Sequence, residues 1–183
     1  MKHPSSREFF AYWDRVRGEA SAPDRSDLQP GAVRALLGDI FVLSYDADSG
    51  HRFRVAGTRV CALLGRDLKA QSFSALFAPA CRAEIDGIVA AVAEDTLPAI
   101  AGLTASQGGR PTHLELLLLP FHTRAHAPIS LTGLLAPFEG GSGLVGDLTL
   151  TSWRYLHPPE KIGPRVVRKL ALARGLMVYE GLR

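Results

Sequence analysis

The stretch Phe53-Arg54-Val55-Ala56-Gly57-Thr58-Arg59-Val60-Cys61-Ala62-Leu63-Leu64-Gly65-Arg66-Asp67-Leu68 decides how the chain is read. From Arg52 to Gly57 polar and apolar residues alternate, the two-residue period of a half-buried strand. At Gly57 the period changes. A glycine there supplies a positive backbone angle or a close approach where a strand bends sharply into a helix. Thr58 is an N-cap residue type, and Gly65 stops the short helix Arg59 to Leu64.

Upstream, Ile40-Phe41-Val42-Leu43-Ser44-Tyr45 is β-branched and aromatic, and Asp46-Ala47-Asp48-Ser49-Gly50 is turn chemistry. The two strands are expected to form an antiparallel hairpin. Before them, Ser5-x-x-Glu8 has the form of a capping box. Phe9, Trp13, Val16 and Ala20 follow at helical spacing with Phe10 beside them, which predicts an amphipathic helix that Pro23 interrupts. A second short helix is expected from Ser26-Asp27 through Val33, Leu36 and Leu37 to Gly38.

Downstream, Ser72 and Ser74 can cap a short turn, and Pro79 opens a longer helix with Ile85, Ile88, Val89 and Val92 on one face. The strand pattern then returns over Pro98 to Thr104, Thr112 to Leu119, Ile129 to Pro137 and Asp147 to Tyr155. Gln107 to Arg110, Pro120 to Pro128 and Glu139 to Gly143 connect them. From about Pro164 to Tyr179 a basic amphipathic helix is expected, with Ile162, Val166, Leu170, Ala173 and Met177 on one face. Strands separated by turn signals, with helices clustered between them, give an α+β fold and not a doubly wound sheet. The expected organisation is a helical lead-in over 1–37, a domain over 38–156 and a basic extension over 157–183.

That order of elements, two strands, several short helices, then further strands of one antiparallel sheet, resembles a PAS domain. Arg54-Val55-Ala56-Gly57-Thr58 leading into Gly65-Arg66-Asp67-Leu68 resembles the second strand and first helix of a family of bacterial single-PAS regulatory proteins. Pro23-x-Arg25-Ser26-Asp27-Leu28-x-Pro30 is similar to that family's lead-in, and Glu115-Leu116-Leu117-Leu118-Leu119-Pro120 to its fourth strand. The resemblance spans about residues 9 to 156 and implies a five-stranded antiparallel sheet with helices inserted between strands two and three. It also implies a sensory or protein-interaction module in signalling, transcriptional or cell-cycle regulation, one that often dimerises through the helix preceding the sheet. Phe9, Phe10, Trp13 and Val16 are the interface residues this predicts, and the output is expected in trans.

PAS sheets are curved, and the space between sheet and helices can hold a small ligand. Strand and helix alternation nominates Val42, Phe53, Val55, Thr58, Leu64, Phe73, Leu76, Ile88, Leu116, Leu118 and Leu134 to line such a pocket or simply to fill a core. Arg54 and Glu115 are its polar candidates. A small-molecule-binding protein, or a small enzyme, built in that pocket is the alternative reading.

Signals for catalysis are poor. Gly140-Gly141-Ser142-Gly143 does not fit a nucleophile elbow, and no glycine-rich stretch has the phosphate-cradling spacing. His122 and His126 lack an identifiable third ligand, and Arg124 between them opposes a cation, so no metal is expected. His51 and His113 read as surface residues. Residues 59–95 contain no histidine for haem, and Cys81 lacks the sequence context of a flavin photosensor, so no cofactor is expected beyond an unidentified small ligand.

The chain has 183 residues, 46% hydrophobic and 21% charged, enough for a real core and against disorder. No apolar run reaches the length of a membrane span, and the N-terminus lacks a secretory apolar region. With two unpatterned cysteines, Cys61 and Cys81, the expected location is the cytoplasm. Residues 160–183 carry Lys161, Arg165, Arg168, Lys169, Arg174 and Arg183 against Glu160 and Glu180, while the body is near neutral. Contact with nucleic acid or an anionic membrane is therefore expected only through that tail.

Overall fold

The hairpin and the strand-to-helix bend form where the pattern places them. The computed structural model describes residues 1–46, 50–107, 110–122, 129–140, 143–156, 168–173 and 176–180. In it β1 (Ile40–Asp46) pairs antiparallel with β2 (Gly50–Ala56). The helical insert follows as α2 (Thr58–Leu64), a 3-10 turn (Ser74–Leu76) and α3 (Pro79–Glu94). Then come β3 (Ala99–Gln107), β4 (Arg110–Pro120), β5 (Ser130–Pro137) and β6 (Val145–Tyr155). Among the described residues one sheet runs in the order β2-β1-β5-β4-β3-β6-β7-β8, and each neighbouring pair is antiparallel.

The sheet thus has eight strands where the family resemblance implies five. Beyond those five stand β6, the strand read over Asp147 to Tyr155, which pairs on the outer edge of β3, and the unexpected pair β7 (Arg168–Ala173) and β8 (Leu176–Glu180). These last two correct the C-terminal basic helix. Arg168-Lys169-Leu170-Ala171-Leu172-Ala173 satisfies a two-residue period as well as a helical one, and an open sheet edge at β6 supplies the missing hydrogen-bond partners. Residues 157–167, 174–175 and 181–183 of the expected extension lie outside the described residues.

Each face of the sheet carries a helical layer. On the inner face, α2, α3 and the 3-10 turn pack over Phe41, Leu43, Phe53, Leu114, Leu116 and Leu118. All four α3 positions expected on its apolar stripe, Ile85, Ile88, Val89 and Val92, are buried there. On the outer face, α1 (Pro4–Arg17) and a 3-10 segment (Pro30–Leu36) pack over Leu117, Leu119, Leu134 and Ala136. Consecutive leucines of β4 therefore serve opposite layers.

Helix ends differ in detail from the expectation. The N-cap of α1 is His3, whose Nδ1 accepts from Ser5 N–H at 3.2 Å, with Pro4 in the first turn, so Ser5 lies inside the helix. The N-cap of α2 is Gly57, and Thr58 is an exposed first residue. The Gly38 carbonyl takes the capping role by accepting from Arg59 N–H at 2.9 Å and Val60 N–H at 3.1 Å. Gly57 is needed for proximity and not for its angle, because φ is −65° and an added Cβ would stand 2.2 Å from the Gly38 oxygen.

Candidate functional site

The pocket expected between sheet and helices is a layer of packed rings. Phe41 lies against Phe53 and Phe73 with centroids 5.5 Å away in each case, and Phe73 meets Phe77 at 5.4 Å. Gly133, opposite Phe41 on β5, makes room for this ring, since a Cβ there would stand 2.3 Å from the Phe41 Cζ. Six of the nominated residues, Phe53, Phe73, Leu76, Ile88, Leu116 and Leu118, are buried together here, and Leu64 packs half-buried against them. They belong to one buried apolar cluster.

The other nominations fall elsewhere, each for a reason. Val42 sits between the inward Phe41 and Leu43, so the pleat turns it to the outer face. Leu134 joins the outer layer with Leu117. Val55 is 51% exposed because the register slips from Val42↔Val55 to Leu43↔Phe53, leaving Arg54 as the extra residue of a bulge and breaking the alternation. Thr58 is exposed at the start of α2. Arg54 and Glu115 do not converge, for β1 and β5 lie between their strands, a separation of roughly 14 Å at ordinary strand spacing. Arg54 instead stands near Arg25, whose pKa is lowered first by burial and then by that neighbouring charge.

Glu115 has a structural task. It is buried on the outer face, and its two oxygens accept from the backbone N–H of Lys2 at 2.7 Å and His3 at 2.9 Å. The segment entering α1 is thereby tied to β4. Ten residues beyond His3, the Trp13 indole N–H donates to the Pro120 carbonyl at 3.0 Å, which fixes the other end of the helix to the same strand. Phe9 and Trp13, nominated for contact with a second chain, are 2% and 0% exposed against their own sheet. Phe10 and Val16 keep part of their surface open on the flank of α1.

His51 corrects a surface expectation. It is buried on β2, its ring 5.3 Å from Tyr45, and its Nε2 has no hydrogen-bond partner among the described residues. Burial lowers its pKa, opposed by the carboxylates of Asp86 and Glu94 on α3. The turn residues Asp46 to Gly50 just before it hid this in the sequence. His113 and His122 are exposed, and His126 and Arg124 lie outside the described residues. Among the described residues no three His, Cys, Asp or Glu side chains gather to hold a metal ion. No helix among them is long and apolar enough to cross a membrane.

The deciding comparison concerns the first five strands and their lead-in. A sequence model of the PAS domain matches residues 1–136, from α1 to the end of β5. The chain belongs to the PAS domain family. The match takes in the α1 cap as well as the five strands β2-β1-β5-β4-β3, so the PAS domain here includes its outer layer. No curated protein matches the chain.

A feature that sequence reasoning missed is an open groove of about 570 Å³ on the outer face, lined by Ile100, Gly102, His113, Glu115, Ser152 and Arg154 among others. Its signal was a lone glycine, Gly102, inside a strand pattern.

Proposed function

We propose that this PAS domain is a non-enzymatic sensory and interaction module whose output passes through protein contacts in trans, as a homodimer or with a signalling partner. The observation that carries this reading is the α1 cap, included in the family match and tied to β4 by Glu115 and Trp13. A helix fastened at two points over an apolar sheet face is an element that a second chain or a ligand can bias. Signalling and sensing are the general role of the family. The dimer contact in this reading uses Phe10 and Val16, the half-buried flank of α1, since Phe9 and Trp13 are spent on the sheet.

No cofactor enters this proposal, because the inner layer is occupied by phenylalanine rings. The free thiols Cys61 and Cys81 suit a reducing compartment, and the proposal places the module in the cytoplasm. The test is the solution mass of the protein together with its Phe10→Glu variant, with folding followed by circular dichroism. A wild-type dimer that the variant dissociates without unfolding supports the reading. A wild-type monomer at high micromolar concentration removes the homodimer.

A second reading, a small-molecule-binding protein, is favoured by the outer-face groove, which is open where the inner layer is packed.

A further inference from the structure

The groove on the outer face exists because one side chain is missing from a row. Across the sheet, Gly102 of β3 pairs with Glu115 of β4 on one side and with Ser152 of β6 on the other. Residues opposite one another in an antiparallel sheet point to the same face, so Glu115, Gly102 and Ser152 form one outer-face row with nothing at its centre. A Cβ at Gly102 would stand 2.9 Å from the Ser152 Oγ, inside the depression. One row along, Ile100 pairs with Arg154, and on the other side Thr104 pairs with His113. The α1 helix packs on β4 and β5, and among the described residues no helix lies over this part of β3 and β6.

The charges around it are unbalanced. Lys2 and Arg154 line the groove and are exposed, and among the described residues neither side chain forms an ion pair. The His113 imidazole also lines it. The carboxylate in the groove, Glu115, is 5% exposed and already accepts two backbone N–H groups. The apolar lining comes from Ile100 and from Phe138, whose ring is 43% exposed beside His3. A concave site with an apolar wall and cationic side chains in its lining suits a small anion with an apolar body.

We propose that this groove binds a small organic carboxylate with an apolar tail, the carboxylate between Arg154 and Lys2 and the tail along Ile100 and Phe138. Such a ligand bridges β6 to the segment that Glu115 holds at the start of α1, so occupancy fastens the α1 cap. The site stands on the opposite side of the sheet from the space between sheet and helical insert, and it holds whether or not the domain dimerises.

The experiment is a titration with octanoate, followed by backbone amide chemical shifts and by calorimetry, with octyl glucoside as the neutral control of equal chain length. Saturable shifts at Gly102, Ser152 and Arg154 are expected, with no such binding of the glucoside and slower amide exchange in α1. Arg154→Glu, an exposed change, is expected to weaken binding by about 10-fold or more, and Gly102→Leu to abolish it. Absence of saturable shifts, shifts centred on Phe41, Phe53 and Phe73, or equal affinity in Arg154→Glu would each overturn the proposal. The oligomer test above fails or succeeds independently of these outcomes.

Discussion

Arg59 grips Asp39 with two donors, Nε to Oδ1 at 2.7 Å and Nη2 to Oδ2 at 2.8 Å. Nη2 also reaches the Ala35 carbonyl at 2.7 Å. One guanidinium on α2 thus holds the residues that lead into β1, and this bond with Asp39 is the main reason its pKa is raised. Forked pairing gives the contact geometry that lysine lacks. Because the Arg59 side chain is 56% exposed, water screens the pair and its worth stays near the surface range of about 1 kcal/mol or less. Asp39→Asn and Arg59→Lys are each expected to lower stability by that order in urea unfolding, with the fold retained.

Glu115 is the stronger anchor because it is buried. Glu115→Ala leaves the N–H groups of Lys2 and His3 without their acceptor and is expected to cost about 1–3 kcal/mol. Amide exchange should quicken first in residues 2–13 and leave the inner layer protected. Uniform loss of protection across both layers would show that α1 and the sheet open as one unit.

The bend at Gly57 tolerates no side chain. Its neighbour is the Gly38 backbone, which also caps α2 and cannot swing aside as a side chain would. Gly57→Ala is expected to destabilise by about 1–3 kcal/mol, as overpacking does. Gly87, with open space where a Cβ would go, is the control position: Gly87→Ala should be neutral or stabilising in the same thermal melt.

Stability should fall on the acid side partly through His51. Its folded pKa lies below the ordinary value of 6.5, chiefly because burial penalises the imidazolium. As pH drops through that ordinary value the unfolded chain takes the proton first, so stability is full above it and is lost as pH falls toward the folded value. His51→Leu is expected to flatten that part of the pH–stability curve measured by denaturant unfolding. An unchanged slope would assign the acid loss to other groups.

The parts of this fold that were legible in the sequence are those with one wet face. The α3 stripe could be read because Asp86 and Glu94 mark its solvent side. The hairpin and the bend at Gly57 announced themselves through alternation and glycine. Where both faces are buried the pattern falls silent. In the run Leu116 to Leu119, and at Val42 and Leu134, nothing in the residue types says which layer each side chain serves. The bulge at Arg54 then exposed Val55 against a period that predicted it inside. At the C-terminus, leucines and alanines fitted two periods at once, and only the free edge of β6 chose between them. The groove escaped notice because it depends on strand neighbours far apart in sequence, Gly102 with Glu115 and Ser152.

Homodimer contact through the α1-bearing face is tested most directly by sedimentation equilibrium of the wild type beside Phe10→Glu. A wild-type species of twice the chain mass, reduced to a folded monomer by the substitution, is the predicted result. A dimer that persists in Phe10→Glu, or a wild type that stays monomeric at every concentration reached, would contradict it.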